Sequence, residues 1–483
     1  MFTKRAIYAL LSNYTSIFHG KPNITYGILV ILLFKLYFCV QIEVDMIETF
    51  IIKNYRSYRD KTELSFVASN KEGGKKKDLP PVWFKEINGK RILRLLLCVG
   101  LNGTGKSKMF SAINYLRMIA TSKPQKPSDK PEYRPFLLDT YSSTIPTELT
   151  LVYYIGDTCF SYNIKISSEC IEEEELKLVQ SRSSRIFYRY HNKELDKVVI
   201  SFGNACDLTK ADQHDLEVNT LANASVLSTF GALNLDSQLL SNNFDYFENH
   251  ISMVHKSDKS FADKLQTGNI DRDRALKKLL LRLLDDVGTN ICDYVIEDAS
   301  LNISELKANG APDIVIKAMM EQYPSGIITH KNLRFIHSTK EGRSGLDFEL
   351  ESLGTKNIIR LLVVLYDVIL GEKSTCIDEI EYGIHTKALA FILKMYLTLA
   401  ENCQLIVATH DLSLLNADFL RRDAVRLFEK DEYGATNVKR RDYLHNTISF
   451  YKTYEKEVSP QIDELMRKIE LFIKYKEDIE HSL

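Results

Sequence analysis

The sequence predicts an α/β fold with a mixed β-sheet, an antiparallel β subdomain and a helical insertion. Three observations carry that expectation. First, a strand-like run, Leu95-Leu-Leu-Cys-Val99, leads through Gly100-Leu-Asn-Gly-Thr-Gly-Lys-Ser107 into a helical stretch, Lys108 to Ile119. Second, the apolar strand Thr375–Asp378, the helix Thr386 to Ala400 and the strand Gln404–Thr409 follow one another. Strand–helix–strand alternation implies a parallel sheet covered by helices. Third, Thr147–Ile155 and Cys159–Ser167 alternate in polarity around Gly156-Asp157, as an antiparallel hairpin does.

The chain of 483 residues has room for two or three domains. Its 45% apolar and 26% charged content is that of an ordinary globular protein. A net charge of −1 gives no global basic field for nucleic acid, although Lys75-Lys-Lys77 and Lys439-Arg-Arg441 leave a local groove open. None of the eight cysteines forms a CxxC pair, and no His/Cys cluster has zinc spacing. Cys98 and Cys376 lie in apolar strand-like runs and read as small buried hydrophobes in a reducing cytosol. A cytoplasmic location is therefore expected.

Residues 1–45 form an N-terminal extension with two readings. Ile24 to Val40 is apolar apart from Lys35 and would make a short membrane helix of about 17 residues. The favoured alternative is that the working protein starts near Met46, where a complete domain already begins. Residues 46–155 form the first part of that domain. Ile47–Ile52 and Thr62–Val67 read as strands joined by Lys53-Asn-Tyr-Arg-Ser-Tyr-Arg59. Ser122 to Pro135 holds four prolines and is a connector that neither helix nor sheet accepts. Residues 156–345 are expected to be an inserted lid. Lys177 to Tyr190 adds strands, Asp207 to Thr289 is helical, and 290–351 is mixed. Residues 346–445 complete the domain, beginning with the helix Thr355 to Leu370. Residues 446–483 end in an amphipathic helix with Ile462, Leu465, Ile469 and Phe472 on one stripe.

The chemistry concentrates at three strand ends and one helix start. Gly100 to Ser107 fits GxxxxGK[ST], a phosphate-binding loop. Gly100, Gly103 and Gly105 let main-chain N–H groups close around phosphates, and the helix N-terminus adds positive potential. Lys106 would reach the β- and γ-phosphates of ATP, and the Ser107 hydroxyl would ligate Mg²⁺. Asp378, at the tip of an apolar strand, would hold Mg²⁺ with Ser107, while Glu379 would orient or deprotonate the attacking water. His410 follows the next strand and would bond the γ-phosphate or the water. Ser352 and Gly354 precede a helix, where they suit either a phosphate or plain helix capping.

This order, together with Phe50-Ile-Ile-Lys-Asn-Tyr-Arg-Ser-Tyr58 and Ile377-Asp-Glu-Ile-Glu-Tyr-Gly-Ile-His385, resembles the ABC-type ATPase heads, a group that includes SMC, RecF and OLD-like proteins. It most resembles the compact bacterial AAA-family ATP-binding proteins of abortive-infection and antiphage defence loci. The resemblance covers 46–155 and 345–430 and is loose between them. It implies a homo-oligomer in which ATP lies between two heads, with Lys106 and Ser107 of one facing Ser352 and Gly354 of the other. It also places Arg56 near the phosphates and Asn102 facing the γ-phosphate. The signature here, Ser-Leu-Gly-Thr, departs from the LSGGQ of transporters, and no Q-loop glutamine stands out between 120 and 160.

The resemblance implies an ATPase that senses infection and controls a separate toxin or nuclease. A RecF- or SMC-like DNA maintenance ATPase is the alternative. A transporter head is disfavoured, because such heads lack an insertion like 156–345. About 70 residues follow His410, too few for the Toprim domain of OLD-type nucleases, and no long coiled coil is present.

Overall fold

The computed structural model describes residues 44–69, 83–124, 126–180, 182–254, 274–308, 310–371 and 373–440. These belong to one compact unit that begins at Glu43. The apolar run 24–40, the basic run 75–77 and the amphipathic stretch 461–483 lie outside the described residues. Among the described residues no helix is long and apolar enough to cross a membrane.

The chain opens with β1 (Met46–Lys53), β2 (Thr62–Ser65), a small hairpin of β3 (Phe84–Ile87) and β4 (Lys90–Leu93), then β5 (Leu95–Val99) and α1 (Lys106–Thr121). Next come β6 (Thr147–Ile155), β7 (Thr158–Ile166), β8 (Ile171–Leu178), β9 (Ser184–Asn192) and β10 (Lys197–Phe202). Helices α2 (Lys210–Asn219), α3 (Val226–Gly231) and α4 (Gln238–Asp245) lead to β11 (Ile251–Val254). After α5 (Arg274–Asp286), β12 (Ile291–Asn302), α6 (Ile303–Ala308), α7 (Asp313–Gln322), β13 (Ile327–Thr339) and β14 (Gly342–Asp347) form a separate arm. The chain then runs through α8 (Leu353–Gly371), β15 (Ser374–Ile377), α9 (Thr386–Leu399), β16 (Gln404–Thr409), β17 (Val425–Lys430) and β18 (Thr436–Lys439).

The central sheet has the order β11-β15-β16-β5-β17-β18, parallel except for its antiparallel edge strand β18. Every residue of β5, β15 and β16 is buried, as expected for parallel strands covered on both faces. A seven-stranded antiparallel sheet, β10-β9-β8-β7-β6-β1-β2, stands beside it. The α/β class and the mixed sheet agree with the sequence expectation. Two details do not. Asp207 to Thr289 is not all helical, because Ile251–Val254 is a strand pairing with β15. Four residues are too few to show a period, so only the neighbouring strand reveals it. The β6–β7 pairing also runs across residue 155, so 46–155 and 156–202 contribute to one sheet.

Two side chains tie the sheets together: Arg426 of β17 donates to Ser65 O of β2, and Gln404 of β16 reaches β1. β2 pairs with β1 only over Thr49–Ile52, which leaves the main chain of Ile47 without a strand partner on that side. Fully buried Gln404 supplies the missing ladder. Its Oε1 accepts from Ile47 N at 2.6 Å and from Ser374 Oγ at 3.0 Å, and its Nε2 donates to Ile47 O at 2.9 Å and Leu93 O at 3.0 Å.

Candidate functional site

Parallel strands end together, and in such sheets ligands bind beyond the carboxyl ends. The registers Thr409↔Val99 and Ile377↔Val407 bring Gly100, His410 and Asp378 to one edge. Gly100 leaves β5 under the backbone of β17, where a Cβ would sit 2.5 Å from Phe428 O. Asn102 and Gly103 form the exposed crest of the loop. Gly105 has φ +105°, and a Cβ there would run into Thr436 Oγ1. It is also the N-cap of α1 and provides no side-chain acceptor, so the first N–H groups of the helix are left for an incoming anion.

The loop is clamped from outside. Tyr58 Oη donates to Gly105 O at 2.9 Å. Thr436 Oγ1 lies 2.9 Å from Thr104 O and from Ser57 Oγ, and Thr436 N donates to Ser57 O at 2.7 Å.

Lys106 is 4% exposed. Its Nζ donates to Gly100 O at 2.7 Å and Leu101 O at 3.0 Å and lies 3.1 Å from His410 Nδ1. Burial pushes this lysine down to about 8, while Cys98, Asp378, Glu381 and Glu379 act in the opposite sense. Its positive charge is poorly solvated, which is the condition an entering phosphate relieves. His410 Nδ1 also lies 3.0 Å from Gly100 O, so its proton decides which contact it makes. Ser107 is exposed on the first turn of α1.

Asp378 and Glu379 follow β15 directly. Glu379 adopts φ +48°, a left-handed conformation that costs a non-glycine residue energy and that clusters at active sites. The Ile380 N–H donates to Ala408 O at 3.1 Å and holds this turn on β16. Glu381 Oε1 then accepts from His410 N at 2.7 Å.

Ser352 Oγ accepts from Thr355 N at 3.1 Å and so caps α8, the bland alternative of the sequence reading. Gly354 packs under Gly383 O, 3.0 Å from where a Cβ would stand, and Asn357 Nδ2 donates to Tyr382 O at 2.8 Å. Within one chain both residues therefore border the turn after Glu379. Among the described residues no hydrogen bond joins them to Lys106 or Ser107. Arg56 has φ +52°. Its N–H donates to Arg134 O at 2.8 Å, and its guanidinium lies 3.9 Å from Glu132.

Sequence reasoning singled out neither Tyr58 nor Thr436. Tyr58 lies within the quoted Phe50–Tyr58 run, whereas Thr436 sits on a four-residue strand with no signal of its own.

Residues 99–416 match the sequence model of the family described as "AAA domain, putative AbiEii toxin, Type IV TA system". No curated protein matches the chain. Among solved structures, the SMC head domain from Thermotoga maritima aligns with TM-score 0.37 and 12% identity over 82% of this chain and 98% of that one. The Smc head domain with an extended coiled coil, bound to the C-terminal domain of ScpA from Pyrococcus furiosus, aligns with TM-score 0.36 and 11% identity over 86% and 100%. The strand order of the central sheet itself defines the fold.

Proposed function

The chain belongs to the family described as "AAA domain, putative AbiEii toxin, Type IV TA system", and from that premise we propose that it hydrolyses ATP to gate a separate effector. The observation that carries the reading is Lys106. It is a buried, under-solvated cation at the start of a helix, with Asp378, Glu379 and Glu381 acting on it and His410 against it. The residues suit Mg²⁺–ATP. The helix-start N–H groups and Lys106 would take the β- and γ-phosphates, and Ser107 and Asp378 would hold the metal. When bound, Mg²⁺ would neutralise charge on the phosphates. Glu379 orients or deprotonates the water, and His410 bonds the γ-phosphate side.

Oligomerisation around nucleotide has its own support. Leu350, Leu353 and Tyr382 are 70%, 51% and 40% exposed around the Ser352–Gly354 segment, an apolar rim suited to a second head. Ser352 and Gly354 would meet Lys106 and Ser107 of the partner copy across it. The effector is a toxin or nuclease encoded separately, and the system is one of antiphage abortive infection.

The test is direct. Wild-type protein binds and hydrolyses Mg²⁺–ATP, and Lys106→Ala abolishes binding. Glu379→Gln binds ATP, turns it over slowly and accumulates the ATP-bound assembly, while His410→Ala keeps binding and loses turnover. Wild-type protein without affinity for Mg²⁺–ATP overturns the reading. Tight duplex-DNA binding with a steep salt slope points to the DNA maintenance alternative instead.

A further inference from the structure

Glu381 has no role in the chemistry just described, although the fold holds it firmly in place. The turn after β15 is fastened to β16 by Ile380, and Ile384 N donates to Glu381 O at 2.8 Å. One carboxylate oxygen, Oε1, receives the main-chain N–H of His410 at 2.7 Å. The other, Oε2, is shut off from solvent and has no hydrogen-bond partner among the described residues. A buried acceptor without a donor is destabilising, and native proteins leave few of them without a reason. Lys106 does not fill the gap, because its Nζ is engaged by Gly100 O, Leu101 O and the His410 ring. Glu381 nevertheless acts on Lys106 through space together with Asp378 and Glu379, so it belongs to the same acidic cluster.

We propose that Glu381 Oε2 accepts a hydrogen bond from a water molecule that enters with Mg²⁺–ATP. One carboxylate would then hold His410 with one oxygen and aim the water with the other. This rests on the ATPase reading and adds a second acid to it. Glu381 takes no proton in this role, which leaves Glu379 as the base. The water is either the attacking one or one carried on Mg²⁺, and both offer the same O–H donor.

Glu381→Gln separates this role from a structural one. The amide oxygen still accepts from His410 N, while the second oxygen becomes an NH₂ that cannot accept. Steady-state kcat and KM, the Kd for Mg²⁺–ATP, the Mg²⁺ dependence of turnover and the urea midpoint are measured for wild type, Glu381→Gln and Glu381→Ala. If the water is the attacking one, kcat of Glu381→Gln falls at least tenfold, with KM and Kd within twofold of wild type and the urea midpoint within ~0.3 M of it. If it is carried on the metal, the half-saturating Mg²⁺ concentration rises at least fivefold. Either result supports the assignment.

A Glu381→Gln protein with wild-type kcat and wild-type Mg²⁺ dependence overturns it. So does one whose activity falls only in step with its urea midpoint, as Glu381→Ala is expected to do through loss of the His410 tie. Wild-type protein that fails to bind Mg²⁺–ATP brings down the ATPase reading and this inference together. Wild-type protein that turns over beside an equally active Glu381→Gln brings down this inference alone.

Discussion

Replacing Gln404 with Leu tests how the two sheets are joined. The substitution keeps side-chain bulk and removes every polar atom. Three main-chain groups lose their partner: the Ile47 N–H, the Ile47 carbonyl and the Leu93 carbonyl. Ile47 and Gln404 are both fully buried, so water cannot replace the lost bonds without opening the junction. An orphaned buried group costs about 1–3 kcal/mol, which puts the loss for three at roughly 3–9 kcal/mol before relaxation. Burying the leucine returns about 1.5–3 kcal/mol. Ser374 Oγ loses an acceptor but is a hydroxyl rotor that can turn elsewhere. These figures bracket the net loss between roughly 0 and 7.5 kcal/mol, and the middle of that range, about 3–5 kcal/mol, is the expected destabilisation. The single tryptophan, Trp83, is 1% exposed, stacks on Phe419 and carries the carbonyl that accepts from Arg94 N, so its fluorescence reports this junction. With a urea slope of about 3 kcal/mol/M, the midpoint falls by ~1–1.7 M. A fall below ~0.3 M would falsify the account, because Ile47 would then have partners other than Gln404.

Three further outcomes follow from the site. Gly105→Ala forces a β-carbon onto a backbone at φ +105° and into Thr436 Oγ1, so Mg²⁺–ATP affinity drops at least tenfold while the fold survives by circular dichroism. Adding Thr436→Ala recovers part of the loss, since it removes the collision but not the backbone strain. Lys106 should make nucleotide binding pH-dependent. Its folded value of about 8 lies below the unfolded lysine range, so between pH 8 and about 10 the unfolded chain holds more protons and apo stability rises with pH. Phosphate restores the charged form, so binding at pH 8.5 takes up a proton, seen by titration calorimetry in buffers of different ionisation enthalpy. Identical heats in all buffers would contradict this. Leu353→Glu places a charge on the exposed apolar rim and abolishes ATP-dependent assembly in light scattering, with ATP binding to the single chain unchanged.

The parts of the site visible in the sequence are those whose chemistry is local. A phosphate loop needs glycines, a lysine and a hydroxyl within eight consecutive residues, and the acidic turn needs an apolar strand directly before it. Gly100 to Ser107, Asp378, Glu379 and His410 were therefore readable in order. The tertiary structure brings their strand ends to one edge of the sheet. The position of Ser352 suits both a phosphate ligand and a helix cap, and within one chain the cap is what forms. Arg56 was placed from resemblance alone, and in the folded chain its guanidinium lies toward Glu132. Strand β11 was missed because its four residues, Ile251–Val254, acquire a strand identity only by pairing with β15.

By itself, the sequence determined the α/β class, the parallel core and the order of the residues proposed to handle phosphate, because periodicity and short motifs are properties of neighbouring residues. Only the tertiary structure decided which distant side chains complete the loop. Thr436 and Tyr58 brace the Thr104 and Gly105 carbonyls, Glu381 anchors His410, and Gln404 stands in for an absent strand at Ile47. Glu381 and Gln404 satisfy main-chain groups at the ends of strands, while Tyr58 adds a third donor to the Gly105 carbonyl that already accepts from Lys108 N and Met109 N. Which groups are stranded depends on where the sheets end, not on the residues beside them.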